Sequence, residues 1–421
     1  MPLISRTIAF SRVTAIAAQR KVHAAFAWMH GNPKTILDWQ IELCAIPAPP
    51  FGEEQRGLWL AARFHEIGLQ KIGIDAAGNV LGYLPTPHLD AEHSGPLVVI
   101  SAHLDTVFPS GTELHPTVRT VDGADRIECP GACDNCAGVA GMLAIARALV
   151  SAAVEPACPL LFLGNVGEEG EGDLRGVRHF YGNKTLAERV AAHVVLDGAG
   201  ADSAVTQALG SKRFQVTING PGGHSFTDAG TPNPIAALAS TLASIAATAL
   251  PDEPRTTLNL GTIHGGTSVN SIPESATAAV DFRSTSAEQL IRLEVALHRA
   301  AEDAVEYWNA RATSPKTRGV LSYSIQKIGD RPAAVLPDDS PILSTLRAVD
   351  RHLALATGVR LGSTDGNIPL SLGVPAISLG AGGEGGGAHT LREWYSPKDR
   401  EVGLRRVLLL TLAIAEWAAE Q

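Results

Sequence analysis

Four short runs that are apolar almost throughout, not at alternate positions, constrain this fold more than any other feature of the sequence. Residues 96–102 (PLVVISA), 159–164 (PLLFLG), 192–196 (AHVVL) and 375–379 (PAISL) are too short for ordinary helices and carry Val and Ile in number. A strand that is apolar on both faces has to be covered on both faces, which is the situation of a mostly parallel sheet lying between helices. The stretch 137–150 between the first two runs is rich in Ala, Leu, Ile and Met and reads as a crossover helix.

Near residue 208 the pattern changes. Residues 212–218 (KRFQVTI) alternate, 233–249 read as a helix, and 256–263 and 275–283 read as strands. A helix over 286–308, with Leu290, Leu293, Leu297, Ala301 and Ala304 at helical spacing, and a strand over 321–328 complete the set. The order β-α-β-β-α-β is a split βαβ, or ferredoxin-like, unit. After Asp330 the α/β pattern resumes with a helix over 341–356. A chain of 421 residues exceeds what one core usually serves, so an insertion is expected. The expected parts are an N-terminal helical extension (1–34), a catalytic α/β domain in two pieces (35–207 and 331–421), and an inserted α+β lid domain (208–330).

The ends of the apolar runs carry the chemistry. In open parallel sheets functional groups gather beyond the carboxyl ends of the strands. The first run leads to His103 and Asp105, the second to Glu168 and Glu169, the third to Asp197, and the fourth, through a glycine-rich loop, to His389. Asp134 stands just before the crossover helix. Any one of these could be a capping or surface residue, but no charged run explains why four strand ends carry imidazole or carboxylate. Two imidazoles with several carboxylates form a nitrogen and oxygen donor set that suits zinc and also admits manganese or cobalt. Were Asp134 to bridge two such ions, with His103 and Asp197 on one and Glu169 and His389 on the other, the carboxylates would offset most of the positive charge.

The segments SAHLDTV, GACDNCAG, NVGEEGEGDLRG, VVLDGAG, GPGGHS, GGTSVNSIP and GGGAHTLREW resemble, in order and spacing, the dinuclear zinc peptidase family of peptidase T, carboxypeptidase G, dipeptidases and aminoacylases. The resemblance covers roughly residues 35–421, on several ordered motifs. It implies a zinc exopeptidase type of sheet with a lid that also dimerises. It further implies that His103, Asp134, Glu169, Asp197 and His389 hold two ions, that Asp105 orients His103, and that Glu168 is the general base. His224 matches a histidine supplied by a neighbouring subunit to the oxyanion, which implies a homodimer, while Asn270 and Arg283 match residues near the substrate's polar end. Without the resemblance, Arg283 reads equally well as a surface strand residue paired with an acid.

The run Glu168-Glu169-Gly-Glu-Gly-Asp173 and the Asp at 197 look closer to the peptidase branch, so an aminopeptidase or tripeptidase acting on short peptides is the expected activity. The alternatives are a deacylase of N-acyl or N-carbamoyl amino acids and a non-catalytic binder of peptides or amino acids. Cys133 and Cys136 depart from the family pattern, as does the absence of a tryptophan between Pro109 and Pro130.

Composition excludes several other classes. A net charge of -9 without a Lys/Arg run gives no field for nucleic acid. No stretch of about 20 apolar residues is present for a membrane span. Five sparse cysteines fit free thiols and a cytoplasmic location. The spacing of Cys129, Cys133 and Cys136 is that of an iron–sulfur motif, but Asp134 lies inside it and small buried packing is expected instead. Arg6, Arg12, Arg20, Lys21 and Lys34 with no acid have the composition of a transit peptide, yet no apolar run with a cleavage site follows, so a helix is expected. The loop 380–387 (GAGGEGGG) lacks the Lys-Ser/Thr ending of a phosphate loop and reads as a flexible approach to His389. His115, His179, His264 and His352 read as ordinary packing or surface residues.

Overall fold

In the computed structural model the described residues are 3–86, 95–121, 123–314, 320–356 and 358–421. The chain divides into two units, Met1–Ala208 with Val335–Gln421, and Leu209–Ala334. The first is built around a nine-stranded sheet. Its centre is parallel, in the spatial order Leu160–Asn165, Leu97–His103, Val190–Leu196 and Ala376–Leu379. These are the four apolar runs. Val98, Ile100, Ala102, Leu160 and Phe162 face one core, with helices Cys136–Ser151 and Arg400–Ala419; Leu97, Val99, Leu161 and Leu163 face another, with Val177, Phe180 and Tyr181. Both faces are therefore buried, as runs without alternation require.

From Leu97–His103 the chain crosses first to one side, into Leu160–Asn165, and then to the other, into Val190–Leu196. The crevice at such a switch point lies at the strand's carboxyl end. His103 is the last residue of that strand.

Several elements differ from the sequence reading. The sheet is flanked by antiparallel strands Gln70–Ile74, Val80–Tyr83 and Ser203–Ala208. Residues 109–130 contain a hairpin, Thr117–Val121 with Ala124–Glu128, in a separate antiparallel sheet. The glycine-rich loop is no flexible approach: Glu384–Gly386 pairs with Trp394–Ser396 in that same sheet. Its glycines permit contact at short range, since a Cβ on Gly385 would strike the Cys133 sulfur. The N-terminal region is three helices, Leu3–Ala17, Arg20–Gly31 and Pro33–Cys44, whose Val13, Ile16, Val22, Ala25 and Ile36 belong to the main core. No helix among the described residues is long and apolar enough to cross a membrane.

The second unit is a four-stranded antiparallel sheet in the order Thr256–Gly265, Ser275–Ser284, Gly210–Asn219, Ser322–Arg331, with helices Pro234–Ala246 and Ala287–Ala310 sharing its core. Local chemistry sets both helix starts. Asn233 accepts from Ile235 N with Pro234 at the first turn, and Ser286 accepts from Gln289 N. Strand Ser275–Ser284 alternates buried residues with less buried ones, as a sheet covered on one face should.

One polar group crosses the main core. Arg406 is fully buried and donates to both oxygens of Asp350, at 2.6 and 2.8 Å, and to the Ser203 carbonyl at 2.9 Å. It ties the C-terminal helix to helix Pro341–His352 and to the sheet. Desolvation of such a pair roughly cancels its attraction, whereas removal of one partner strands a buried charge. We expect Asp350→Leu or Arg406→Met alone to cost about 3–5 kcal/mol and the double replacement to recover most of it. Urea unfolding of the three variants measures this.

Candidate metal centre

Seven of the residues singled out in the sequence lie in the first unit, at the carboxyl edge of the parallel strands. Asp134 is at their centre. Its Oδ1 lies 3.1 Å from His103 Nε2, and its Oδ2 lies 3.0 Å from His389 Nε2. His389 Nε2 is also 3.0 Å from Glu169 Oε1, and His103 Nε2 is 3.8 Å from Asp197 Oδ1. Donor atoms fall within 4.8 Å of one another in three sets: His103, Asp134, Asp197; Asp134, Glu169, His389; and His103, Glu168, Glu169. The first two share only Asp134, which presents a different oxygen to each imidazole.

These donors fit metal ions. Asp134 Oδ1 is buried and, among the described residues, has no hydrogen-bond partner in spite of the nearby imidazole nitrogen. A buried carboxylate oxygen left without a hydrogen bond beside an imidazole nitrogen is a donor available for coordination. Hard carboxylate oxygens with imidazole nitrogens match the preferences of zinc, manganese and cobalt.

Supporting contacts hold these side chains in place. His103 Nδ1 is 3.1 Å from the Asp105 carbonyl and 3.6 Å from its carboxylate, so its second nitrogen has a partner, as ligating imidazoles normally do. The Asp105 carboxylate accepts the backbone N–H of Glu168 at 2.9 Å and of Glu169 at 2.7 Å. Asn135 accepts from Gly138 N and Gly198 N and donates to the Leu196 carbonyl, binding the Asp134 turn to the Asp197 turn. Gly138 has to be glycine, because a Cβ there would strike Asn135 and Leu196. His389 sits at φ 63°, a left-handed conformation that costs a non-glycine residue about 1–2 kcal/mol. That local cost is tolerated at the residue that aims an imidazole at two carboxylates.

The electrostatics follow the contacts. Burial opposes a charge on His103, but contacts with Asp105, Asp134 and Asp197 carry its pKa well above the usual histidine value. Contacts with Asp134 and Glu169 raise His389 to about 10 against a smaller burial effect. Burial works to raise Asp134, and the two imidazoles overcome it and hold the carboxyl well below its ordinary range.

Sequence reasoning assigned no role to four other buried residues. Glu393 takes three backbone N–H bonds from the Asp134 turn. Gln40, from an N-terminal helix, donates to the Ala132 carbonyl at 2.6 Å. Asn165 donates to Asp365 at 2.7 Å, and burial, reinforced by Asp105 and Asp197, pushes Asp365 up to about 7 although His103 opposes it. Glu393 falls in a motif, four residues after His389, and that was its only signal. Gln40 and Asp365 lie far away in sequence. The cysteines are all buried and unpaired, as small packing residues would be.

His224, Asn270 and Arg283 belong to the second unit. His224 lies on a two-stranded ribbon, Gly223–His224 with Ser271–Ile272, and is exposed. Its backbone N–H bonds Asp228, and Ser225 N bonds the Asn270 carbonyl, so His224 and Asn270 are neighbours. Arg283 is near the other end of the ten-residue strand Ser275–Ser284, where it donates to Asp281 at 2.8 Å. This is the acid-paired surface arrangement that the sequence left open for it. His179, read as an ordinary packing or surface residue, is half-exposed and lies 3.9 Å from Asp75.

The sequence pattern of Peptidase family M20/M25/M40 matches residues 99–413. A probable carboxypeptidase of Aspergillus clavatus is 29% identical over 272 residues, which span 60% of this chain and 58% of that protein. A tripeptidase from Staphylococcus aureus superposes with a TM-score of 0.70 at 20% identity, covering 93% of this chain and 99% of the other. The YXEP protein of Bacillus subtilis, described as a dinuclear metal binding peptidase, superposes with a TM-score of 0.63 at 17% identity, over 91% and 98% of the two chains. At these identities the superpositions establish the fold.

The raised histidines make a quantitative prediction. In the metal-free protein the imidazolium of His389 contributes its full stabilisation below about pH 6.5, and this fades as pH rises towards about 10. Because a ligating imidazole must be neutral, metal binding through both histidines would expel roughly two protons per chain at pH 7. Calorimetry in buffers of different ionisation enthalpy counts them, and apparent affinity should climb with pH through that same window.

Proposed function

The chain belongs to Peptidase family M20/M25/M40, and from that premise we propose a hydrolase of peptide bonds, an exopeptidase of short peptides that uses two divalent ions. The observation that carries this reading is Asp134, one carboxylate facing an imidazole with each oxygen, at 3.1 and 3.0 Å. In it His103 and Asp197 would hold one ion, Glu169 and His389 the other, and Asp134 would serve both, with zinc the expected metal. Manganese and cobalt are admissible in the same donor set. Bound there, the ions supply Lewis acidity and lower the pKa of the attacking water.

The remaining work falls to the protein. Glu168, 5% exposed, accepts a proton from the attacking water and passes it to the leaving amine. Asp105 pins the peptide N–H groups of Glu168 and Glu169 separately, which keeps base and ligand from exchanging places. We assign cleavage to the amino end, on the Glu168-to-Asp173 run and on Asp197. The name of the Aspergillus clavatus relative favours a second reading, removal of residues from the carboxyl end.

The second unit suits a lid that dimerises. Strand Thr256–Gly265 is a sheet edge with Leu260 and Ile263 exposed, and Phe226 and Val269, near His224 and Asn270 in sequence, are 85% and 102% exposed. An apolar edge of this length is normally covered. A second copy would cover it, and His224 would then serve the oxyanion in its neighbour's site. Five unpaired thiols favour a reducing compartment, the cytoplasm.

The test is turnover by the metal-reconstituted full chain of free tripeptides, N-blocked peptides, C-amidated peptides and N-acetyl amino acids. Cleavage confined to substrates with a free amine supports the proposal. Cleavage that needs a free carboxylate and ignores the amine would reassign the enzyme as a carboxypeptidase. Glu168→Gln should lower kcat by about 10²–10⁴-fold with zinc content retained; unchanged turnover in that variant would remove Glu168 from the mechanism.

A further inference from the structure

The Asp134 turn has three backbone N–H groups, on Gly131, Cys133 and Asp134, that point to one place. Glu393 fills it. Its Oε2 accepts from Gly131 at 2.9 Å, and its Oε1 accepts from Cys133 at 2.8 Å and from Asp134 at 2.7 Å. The side chain is 1% exposed. Converging backbone N–H groups form a concavity suited to an anion, and here the chain supplies the anion itself. Taking a carboxylate out of water costs several kcal/mol, a penalty that a neutral acceptor could have avoided had the turn only needed closing.

Position gives the charge its purpose. Glu393 lies four residues after His389, and its segment is pinned to the other side of the turn as well. Cys129 N bonds the Glu393 carbonyl at 3.1 Å, and Trp394 pairs in register with Glu128. The segment that carries His389 and the segment that carries Asp134 are thus fastened together next to the point where their side chains meet at 3.0 Å.

We propose that Glu393 is a positioning residue that assembles the shared-carboxylate half of the metal site before any metal arrives, by holding the backbone of Asp134 against the segment of His389. The inference rests on the reading of Asp134 as a ligand. A mutation of an outer contact of this kind typically costs 10- to 100-fold in metal affinity.

The experiment compares zinc binding by the metal-free full-length wild type and the E393Q variant, by competition with a chromophoric chelator, alongside melting temperatures with and without zinc. Gln keeps the shape and one acceptor but sets an NH2 against one of the three donors. We expect E393Q to lose about 10- to 100-fold in zinc affinity and most of the zinc-induced rise in melting temperature, with the metal-free melting temperature changed far less. Wild-type affinity in E393Q, or a lower metal-free melting temperature with zinc affinity intact, would overturn the proposal and reduce Glu393 to a fold residue. Failure of the wild type itself to bind zinc, manganese or cobalt would instead sink the metal reading beneath it. Should E393Q not fold, hydrogen exchange on the metal-free wild type decides. The amides of Gly131, Cys133 and Asp134 should be protected without metal, and free exchange that ends only on zinc addition would show that the metal organises the turn.

Discussion

The carboxylate of Asp134, held between two imidazoles, is the contact on which the rest of the site depends. Each oxygen faces a different histidine, at 3.1 and 3.0 Å, and the histidines arrive from opposite ends of the chain. Such a contact is not stable by itself. Glu168, Glu169 and Asp197 crowd the same edge, and packing several carboxyl groups together favours their dispersal. The fold prevents dispersal by fixing the backbone under each group. Asn135 locks the Asp134 turn to the Asp197 turn, Asp105 takes the N–H groups of both glutamates, and Glu393 takes those of the Asp134 turn.

These fasteners share a chemistry. Each is a buried side-chain oxygen that accepts backbone N–H groups from a loop, so a segment without regular secondary structure is held as firmly as a strand end. The parallel sheet sets the coarse position, because strand 97–103 is the point where the crossovers change direction and His103 is its last residue. The loops then need only short reaches. Tolerance of a left-handed backbone at His389 fits the same scheme, since the surrounding hydrogen bonds over-determine its place.

The sequence made the residues of the site legible and left most of their supports hidden, for a physical reason. His103, Glu168, Glu169 and Asp197 follow runs apolar on both faces, and a charge directly after such a run stands out against its surroundings. The inserted unit was legible on similar grounds, since alternation at 212–218 and helical spacing from Leu290 to Ala304 report burial on one face. Gln40, Asn135, Asp365 and Glu393 have no periodic context. Their partners lie on other segments, and for Gln40 the partner is 92 residues away. The antiparallel edge strands were missed because exposed strands such as Gln70–Ile74 lack the apolar signature that marks central ones.

The glycine-rich loop shows the limit of reading composition as mobility. Glycine permits freedom in an isolated chain, but it also permits backbone to approach where no side chain fits. In the loop 380–387 the second property decides. A Cβ on Gly382 would strike the backbone at Arg400, one on Gly383 the Tyr395 ring, and one on Gly385 the Cys133 sulfur. The Tyr395 hydroxyl in turn donates to the Gly382 carbonyl at 2.9 Å, and Arg400 donates to that hydroxyl and to Gln40, which holds Ala132. A loop that the sequence presents as loose is therefore packed against the residues that fix the Asp134 turn. His389 extends from it with its backbone already committed, and its one nitrogen meets both Asp134 and Glu169 at 3.0 Å.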